Sequence, residues 1–169
     1  MQTNILSTID LWLTYLDDYN EKTLITKPSP HMWSIGQVYK HLWSETTYFI
    51  SQAMICCTTD ENKDLHMTPE GKSMFANNSF PDAQIIGPPS NDLTPQPSSK
   101  QEVSDDLNTL RASIILLLDK MAHSPYKGKT PHPGLAYFNA HEWIQFADMH
   151  LSHHLKQKDR IDGEMTVIA

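Results

Sequence analysis

The sequence predicts an all-α fold, a four-helix bundle formed by a single domain over residues 1–169. Three observations favour this class. Four segments repeat apolar residues at helical spacing, capping signatures open several of them, and no segment shows the alternation that is typical of a half-buried strand. A chain of 169 residues suits one hydrophobic core, and its 39% of apolar residues can fill that core.

The first two helices are predicted on either side of a short connection. The first covers residues 3–19, and its apolar residues recur three or four positions apart, at Ile5, Ile9, Leu13 and Leu16. The second covers residues 34–56, begins with Ser34 as its N-cap, and has one side formed by Ile35, Val38, Leu42, Glu45, Phe49 and Gln52. Because only residues 20–30 join these helices, we expect them to be antiparallel neighbours.

The third and fourth helices both begin with a capping signature. Ser99 and Glu102 form the capping-box pattern of the third helix, which extends to Met121. Residues 114–118 are apolar all round, so we expect this helix to be the most buried. Residues 139–142 open the fourth helix, for which Gly163 is the predicted stop. Its inward stripe holds Trp143, Ala147, His150, His154 and Ile161.

About 40 residues separate the second and third helices, from residue 58 to residue 98. This segment is rich in Pro, Asn and Ser and predicts one short helix over residues 69–77, while the pair Ile85-Ile86 is too short to assign. A connection of this length can cross the bundle, so we expect the order of helix directions to be up-down-down-up. The proline-rich residues 123–138 are predicted to be a loop.

The composition excludes several partners. The formal charge is −7, with 20 acidic and 13 basic residues, so neither nucleic acid nor anionic lipid is expected to bind. No apolar run approaches the roughly 20 residues that cross a bilayer, and the N-terminal segment lacks the basic start of a signal peptide. Cys56 and Cys57 are adjacent and form no disulfide framework, which favours a cytoplasmic location.

Nine histidines are the unusual feature of the composition. His150 and His154 lie four residues apart, so their side chains are separated by about 40° on one helix face. The same face carries Trp143 and Ala147, so the pair points towards the core, where imidazole nitrogens need partners. Two imidazoles at this spacing chelate one ion in the helix of zinc proteases, and the spacing therefore predicts a metal site.

His41 on the second helix supplies the matching ligand. It lies near the same side as Val38 and Leu42 and faces inward. It is about seven residues from the start of its helix, as His154 is from the predicted end of the fourth, so antiparallel helices bring both groups to one level. A single inward histidine is more often a hydrogen-bonded core residue, but the three histidines together predict one divalent ion, Zn, Ni or Fe.

Three further polar residues lie near this predicted site. Glu45 follows His41 by one turn and is a fourth ligand, an acceptor for the His41 ring or a solvated residue at the bundle mouth. His153 points to the edge of the apolar stripe, and His132, between prolines, could line the site. The remaining histidines fall in loops or at helix starts and are expected at the surface: His31, His66, His123 and His141.

The segments around the histidines resemble those of a known family, the DinB/YfiT-like metalloenzymes. The resemblance lies in residues 33–42 (WSIGQVYKHL), 132–143 (HPGLAYFNAHEW) and 149–157 (MHLSHHLKQ), while the middle of the chain matches in pattern only. It implies a four-helix bundle, frequent dimers, and one metal ion held by a histidine of the second helix and two of the fourth. These positions fall on His41, His150 and His154.

Two functions remain open at this point. Three neutral imidazoles leave a divalent ion with open positions, which is typical of catalytic sites, and such an ion acidifies a water or a thiol that binds there. The first hypothesis is therefore a metal-dependent enzyme acting on a small molecule by hydrolysis or thiol transfer. The resemblance implies both activities, and isomerases too, with a low-molecular-weight thiol as the substrate of the transferases. The second hypothesis is a non-catalytic metal- or ligand-binding dimeric bundle in which the metal is structural.

Overall fold

The computed structural model describes residues 4–81 and 93–168. Within these ranges the chain forms α1 (Ile5–Leu16), α2 (Glu21–Ile25), α3 (Ile35–Cys56), α4 (Pro69–Asn77), α5 (Lys100–His123), β1 (Thr130–His132), β2 (Ala136–Phe138) and α6 (Ala140–Ile168). The four longer helices α1, α3, α5 and α6 pack as a bundle, which confirms the predicted fold class. No helix in the described ranges has the length and the apolar character needed to cross a bilayer.

Contacts at the two ends of α3 show that α3 and α5 run in the same direction. Near the start of α3, Lys40 Nζ donates to a carboxylate oxygen of Glu102, near the start of α5, at 2.6 Å. At the other end, Ser124 Oγ, directly after α5, donates to the carbonyl oxygen of Cys57, directly after α3, at 2.8 Å. The chain therefore crosses the length of the bundle between the two helices.

The opposite relationship holds between α3 and α6. His41, early on α3, contacts His150 on α6, whereas Phe49, two turns later on α3, stacks on Trp143, two turns earlier on α6. The two helices are therefore antiparallel. Thr8 on α1 bonds to Asp148 on α6, and Trp12, one turn later on α1, bonds to Leu151, which follows Asp148 on α6, so those two helices run parallel. The directions of α1, α3, α5 and α6 are thus up, down, down and up.

Hydrogen bonds of large aromatic side chains lock the core between these helices. Trp12 is fully buried, and its indole Nε1 donates to the carbonyl oxygen of Leu151 at 3.2 Å. The hydroxyl of Tyr39 donates to the carbonyl oxygen of Trp12 at 3.0 Å, and the two rings meet edge to face. Since these bonds join α1 to both α3 and α6, they fix the positions of the two helices that carry the histidines.

Side-chain caps determine where the long helices begin. Ser34 accepts a backbone N–H bond as the N-cap of α3, as predicted. Asn139 and Glu142 form a reciprocal capping box at the start of α6, with bonds of 2.7 and 2.9 Å. Ser99 caps α5. The carboxylate of Glu102 does not complete the capping box, because it accepts hydrogen bonds from the backbone N–H of Ser98 and from Lys40 of α3.

The end of the last helix was predicted wrongly. α6 passes through Gly163 and continues to Ile168. A single glycine in a helix costs only about 1 kcal/mol, which the adjoining turns can offset, so it need not end a helix. His154 therefore lies about two turns further from the helix end than the sequence suggested. His41 and the two histidines of α6 still lie at the same level along the bundle, because the additional turns of α6 extend beyond the start of α3.

The prediction that the third helix is the most buried was also wrong. α5 buries one side only, which consists of Val103, Leu107, Leu110, Ile114 and Leu117. Ile115 is 44% exposed and Leu116 is 67% exposed. An apolar run of five residues covers every side of a helix, but α5 packs on the bundle through one side, so the others face solvent.

Two connections contain structure that the sequence did not show. Residues 130–138, predicted to be a loop, form an antiparallel hairpin in which Thr130 pairs with Phe138. Its strands are three residues long, too short to display alternation. The short helix α2 lies in the predicted first connection. By contrast, α4 has the predicted bounds, and Ile85-Ile86 lies outside the described residues.

Candidate metal centre

The structure brings the three predicted histidines together. Nε2 of His41 lies 3.2 Å from Nε2 of His150, which lies 3.1 Å from Nε2 of His154. All three ligand atoms fall within 4.8 Å of one another. His41 is buried, whereas His150 and His154 are partly exposed, so the cluster is covered on the side of α3 and more open on the side of α6.

Aromatic side chains hold these imidazoles in place. Trp33, just before α3, lies 5.2 Å from the ring of His41, measured between ring centroids. Phe49 and Phe80 both meet the ring of His150 edge to face, at 5.5 and 6.2 Å. Rings packed on several sides have few alternative rotamers, so the convergence of the three Nε2 atoms is built into the core.

Burial keeps the three imidazoles neutral. It lowers the pKa of His41 to about 4. Burial, followed by the charges of the neighbouring histidines, lowers the pKa of His154 to about 3 and that of His150 well below its usual value. Neutral imidazole is the form that binds metal ions, so the cluster is prepared to do so at neutral pH.

The tautomer of His154 is fixed by a neighbour. Its Nδ1 lies 2.7 Å from Oε1 of Gln157, and because an amide oxygen only accepts, Nδ1 carries the proton. Nε2 of His154 then presents a lone pair to the cluster. A proton on Nε2 of His150 can satisfy this contact, but the same proton cannot also satisfy the contact with His41.

One cation accepts all three lone pairs, and the spacing of the nitrogens suits it. With metal–nitrogen bonds of about 2.0–2.1 Å, the separations of 3.1 and 3.2 Å between His150 and its two neighbours correspond to bond angles of about 100° at a shared ion, while the ligand atoms of His41 and His154 lie within 4.8 Å of each other. Nδ1 of His150 is buried without a partner among the described residues, as is Oγ1 of Thr46. A hydrogen-bonded cluster leaves one of the two Nε2 contacts of His150 unsatisfied, so the three histidines fit a divalent ion better than they fit such a cluster.

Glu45 and His153 lie outside the three-histidine group. Glu45 is half-buried on α3, and burial raises the pKa of its carboxyl group. Its oxygens do not belong to the group of ligand atoms that lie within 4.8 Å of one another. His153 is half-buried too, with its ring 5.4 Å from Phe80 and 5.5 Å from His154.

An aromatic layer separates His132 from the cluster. His132 lies on β1, and its ring packs on Phe138 and Phe146 at 4.9 and 4.8 Å. Phe146 also meets Phe49 and Phe80, the two rings that contact His150. Burial lowers the pKa of His132 to about 4, so its ring is neutral and packs as part of this aromatic layer. The four histidines predicted at the surface are all exposed: His31, His66, His123 and His141.

Gln157 is the site residue that the sequence analysis missed. It follows His154 by three positions, the spacing at which helical side chains are neighbours. An amide at this spacing from a predicted ligand is the signal that identifies it as a hydrogen-bond partner.

The fold and the site together define a helical-bundle protein with a three-histidine group that can hold a metal ion. The chain belongs to the DinB superfamily, whose family profile matches residues 5–157. A solved structure described as "Crystal structure of TT2238, a four-helix bundle protein" is similar, with a TM-score of 0.54 and 17% identity over 92% of this chain and 93% of that one. At this identity the likeness shows the fold alone. No curated protein sequence matches the chain.

Proposed function

We propose that His41, His150 and His154 hold one divalent metal ion, for which Zn, Ni and Fe are the candidates. The observation that carries the proposal is the convergence of three Nε2 atoms, with neighbouring separations of 3.1 and 3.2 Å. The low pKa values of His41 and His154 support it, because neutral rings have a free lone pair. The tautomer of His154 supports it too, because the lone pair is then on the Nε2 that faces the cluster. One ligand comes from α3 and two come from α6, so the proposed ion lies between these two helices.

We further propose that the protein is a metal-dependent enzyme acting on a small molecule, by hydrolysis or by transfer to a low-molecular-weight thiol. Among the described residues the ligand group has three members, one fewer than the four that close most structural zinc sites. A divalent ion in such a site supplies Lewis-acid chemistry, which acidifies a water or thiol that reaches its open position. The partial exposure of His154 supports access for a small substrate.

Glu45 is proposed as a proton carrier beside the site. It lies one turn after His41 and one turn before Phe49, on the stretch of α3 that faces His150. Burial raises the pKa of its carboxyl group towards the range in which a general acid or base works at neutral pH. Its role in this proposal is to accept a proton from the incoming water or thiol.

The second candidate function is a metal that joins α3 to α6 without catalysis. The burial of His41 and the position of the cluster between these helices favour it. The two candidates differ in what metal removal does. Removal of a structural metal unfolds the protein. Removal of a catalytic metal leaves the bundle folded, because burial of apolar surface contributes about 25 cal/mol per Å² and stabilises the core without the metal.

Metal content tests the site itself. Elemental analysis of the purified protein should find about one divalent ion per chain, and His150→Ala or His154→Ala should remove most of it. His153→Ala is the matched control, because it deletes a neighbouring imidazole on α6 that is outside the group. Full metal content in both ligand variants would show that the assignment is wrong.

Cobalt substitution separates the enzyme from the structural alternative. Azide or a small thiol should change the visible spectrum of the cobalt protein if a coordination position is open. Circular dichroism should show that the helices survive a chelator. A silent titration together with loss of helicity would leave only the structural role.

Two further expectations belong to this proposal. A homodimer is proposed from the resemblance to the family, and light scattering of the purified protein tests it. A cytoplasmic location is proposed because both cysteines are free and buried, which suits a reducing compartment.

A further inference from the structure

A second cleft lies at the other end of the bundle, where α3 and α5 end and α6 begins. It has a volume of about 220 Å³ and is lined by Cys56, Cys57, Lys63, Met121, Ser124, Tyr126, Lys127, Gly128, Lys129, Asn139, Ala140 and His141. Cys56 follows His41 by about four helical turns, which places the cleft roughly 20 Å from the histidine cluster. No residue lines both sites.

The charge of the lining is opposite to that of the chain. The protein carries a net charge of −7, yet Lys63, Lys127 and Lys129 line the cleft and no Asp or Glu does. Among the described residues, no carboxylate lies within 4 Å of these three ammonium groups. Lys129 bonds to the carbonyl oxygen of Leu65, which orients its charge without neutralising it.

Two carboxylates that are close in sequence to lining residues bond to backbone N–H groups. Asp60 accepts a hydrogen bond from the backbone N–H of Lys127 at 2.8 Å. Glu142 accepts one from the backbone N–H of Asn139 at 2.7 Å, as part of the cap of α6. These bonds hold the two acidic side chains to backbone, and neither side chain lines the cleft.

Backbone hydrogen bonds between two segments fix the shape of the cleft. Gly128 N–H donates to the carbonyl oxygen of Thr59 at 2.8 Å, and Lys129 N–H donates to that of Glu61 at 2.9 Å. The chains approach so closely that a Cβ at Gly128 would lie 2.3 Å from the Thr59 oxygen. The loop that carries Lys127 and Lys129 is therefore fixed against the one that carries Lys63.

The remaining walls offer an apolar surface and a thiol. Met121 and Tyr126 line the cleft beside Cys57, whose side chain is 6% exposed and has no hydrogen-bond partner among the described residues. Burial raises the pKa of the Cys57 thiol, and the charges of Lys120 and Lys127 oppose this rise. The start of α6 forms another wall of the cleft.

We propose that this cleft binds a small organic anion, with a carboxylate or phosphate group held by Lys63 and Lys127 and an apolar body lying against Met121 and Tyr126. The cleft is smaller than the roughly 300–1,000 Å³ of sites for drug-sized ligands. The ligand is therefore a small molecule, such as a single ring that carries one anionic group. Neither the metal nor the histidine cluster takes part in this binding.

Nuclear magnetic resonance titrations with benzoate and with phenyl phosphate test the proposal. Amide signals of Gly128, Lys129 and His141 should shift saturably with either probe, and the tighter probe identifies the preferred anion. Benzyl alcohol is the neutral control and should cause no saturable shift. Binding should weaken as salt is added, because Lys63 and Lys127 are exposed to solvent and their charges are screened.

Charge variants decide the matter. The double variant Lys63→Gln/Lys127→Gln should weaken binding at least about tenfold, since two charge-assisted contacts are lost. Lys22→Gln/Lys72→Gln is the matched control, because it removes the same charge from exposed sites outside the cleft and should leave the affinity unchanged. Circular dichroism confirms that both variants fold. Equal weakening in both variants, equal binding of benzyl alcohol or the absence of saturable shifts would overturn the proposal.

Discussion

Nδ1 of His154 donates a hydrogen bond of 2.7 Å to Oε1 of Gln157, one turn further along α6. This bond fixes the proton on Nδ1 and leaves the Nε2 lone pair directed at Nε2 of His150, 3.1 Å away. The orientation of one proposed ligand therefore depends on an amide that lies outside the three-histidine group.

Replacement of Gln157 by leucine should lower metal affinity by about 10–100-fold, because the His154 ring loses the acceptor that orients it. Competition with a metal-binding dye measures the change. Gln157→Glu retains an acceptor and should keep most of the affinity. Gln101→Leu, on the exposed side of α5, is the control for loss of an amide. If Gln157→Leu binds metal as the wild type does, the hydrogen bond has no role in the site.

The pH dependence of stability should contain a contribution from His132. Its pKa falls from about 6.5 in the unfolded chain to about 4 in the fold, because burial disfavours the charged ring. Between these values the unfolded state binds more protons, so the contribution is fully present above pH 6.5 and is lost as pH falls towards 4. The slope from one such group is at most about 1.4 kcal/mol per pH unit.

Urea unfolding at several pH values, in wild type and His132→Phe, measures this contribution as the difference between the two slopes. Phenylalanine keeps the packing on Phe138 and Phe146 and removes the titration. His66→Phe, at an exposed position, should retain the wild-type slope. Parallel curves for wild type and His132→Phe would show that the His132 ring titrates alike in both states.

Alanine at Gly163 should stabilise the protein by roughly 0.5–1 kcal/mol. The residue lies inside α6, and a Cβ there meets nothing within 4 Å, so the substitution gains helix propensity without a clash. Thermal unfolding measures the change. A lower melting temperature would indicate that α6 does not continue as a helix through this position.

Alanine at Gly36 should have the opposite effect, although Gly36 also lies in a helix. A Cβ there would lie 2.6 Å from the carbonyl oxygen of Leu24 and 2.8 Å from ring atoms of Pro97. Backbone atoms cannot yield as a flexible side chain does, so we expect a loss of about 1–3 kcal/mol. Thermal unfolding beside Gly163→Ala provides the comparison, and an unchanged or higher melting temperature would contradict the close packing of α2 on α3.

The sequence by itself determined the four long helices, except for the end of α6, together with α4 and the candidate ligands. Caps such as Ser34 and Asn139 act on their own helix, and the spacing of His150 and His154 follows from the helical repeat alone. These are local properties, in which each side chain interacts within three or four residues. This is why the fold class, α4 and the His150–His154 pair could be predicted from the sequence, whereas the contact of His41 with that pair depends on the antiparallel packing of α3 on α6.

Only the tertiary structure decided which surfaces are covered and which partners meet. Leu116 and Leu117 are neighbours of one residue type, yet the first is exposed and the second buried, because α5 packs on the bundle through one side. The helix through Gly163 and the hairpin at residues 130–138 likewise depend on surrounding contacts. The lysines of the second cleft come from segments about 65 residues apart, joined by backbone bonds between loops that carry no periodic pattern.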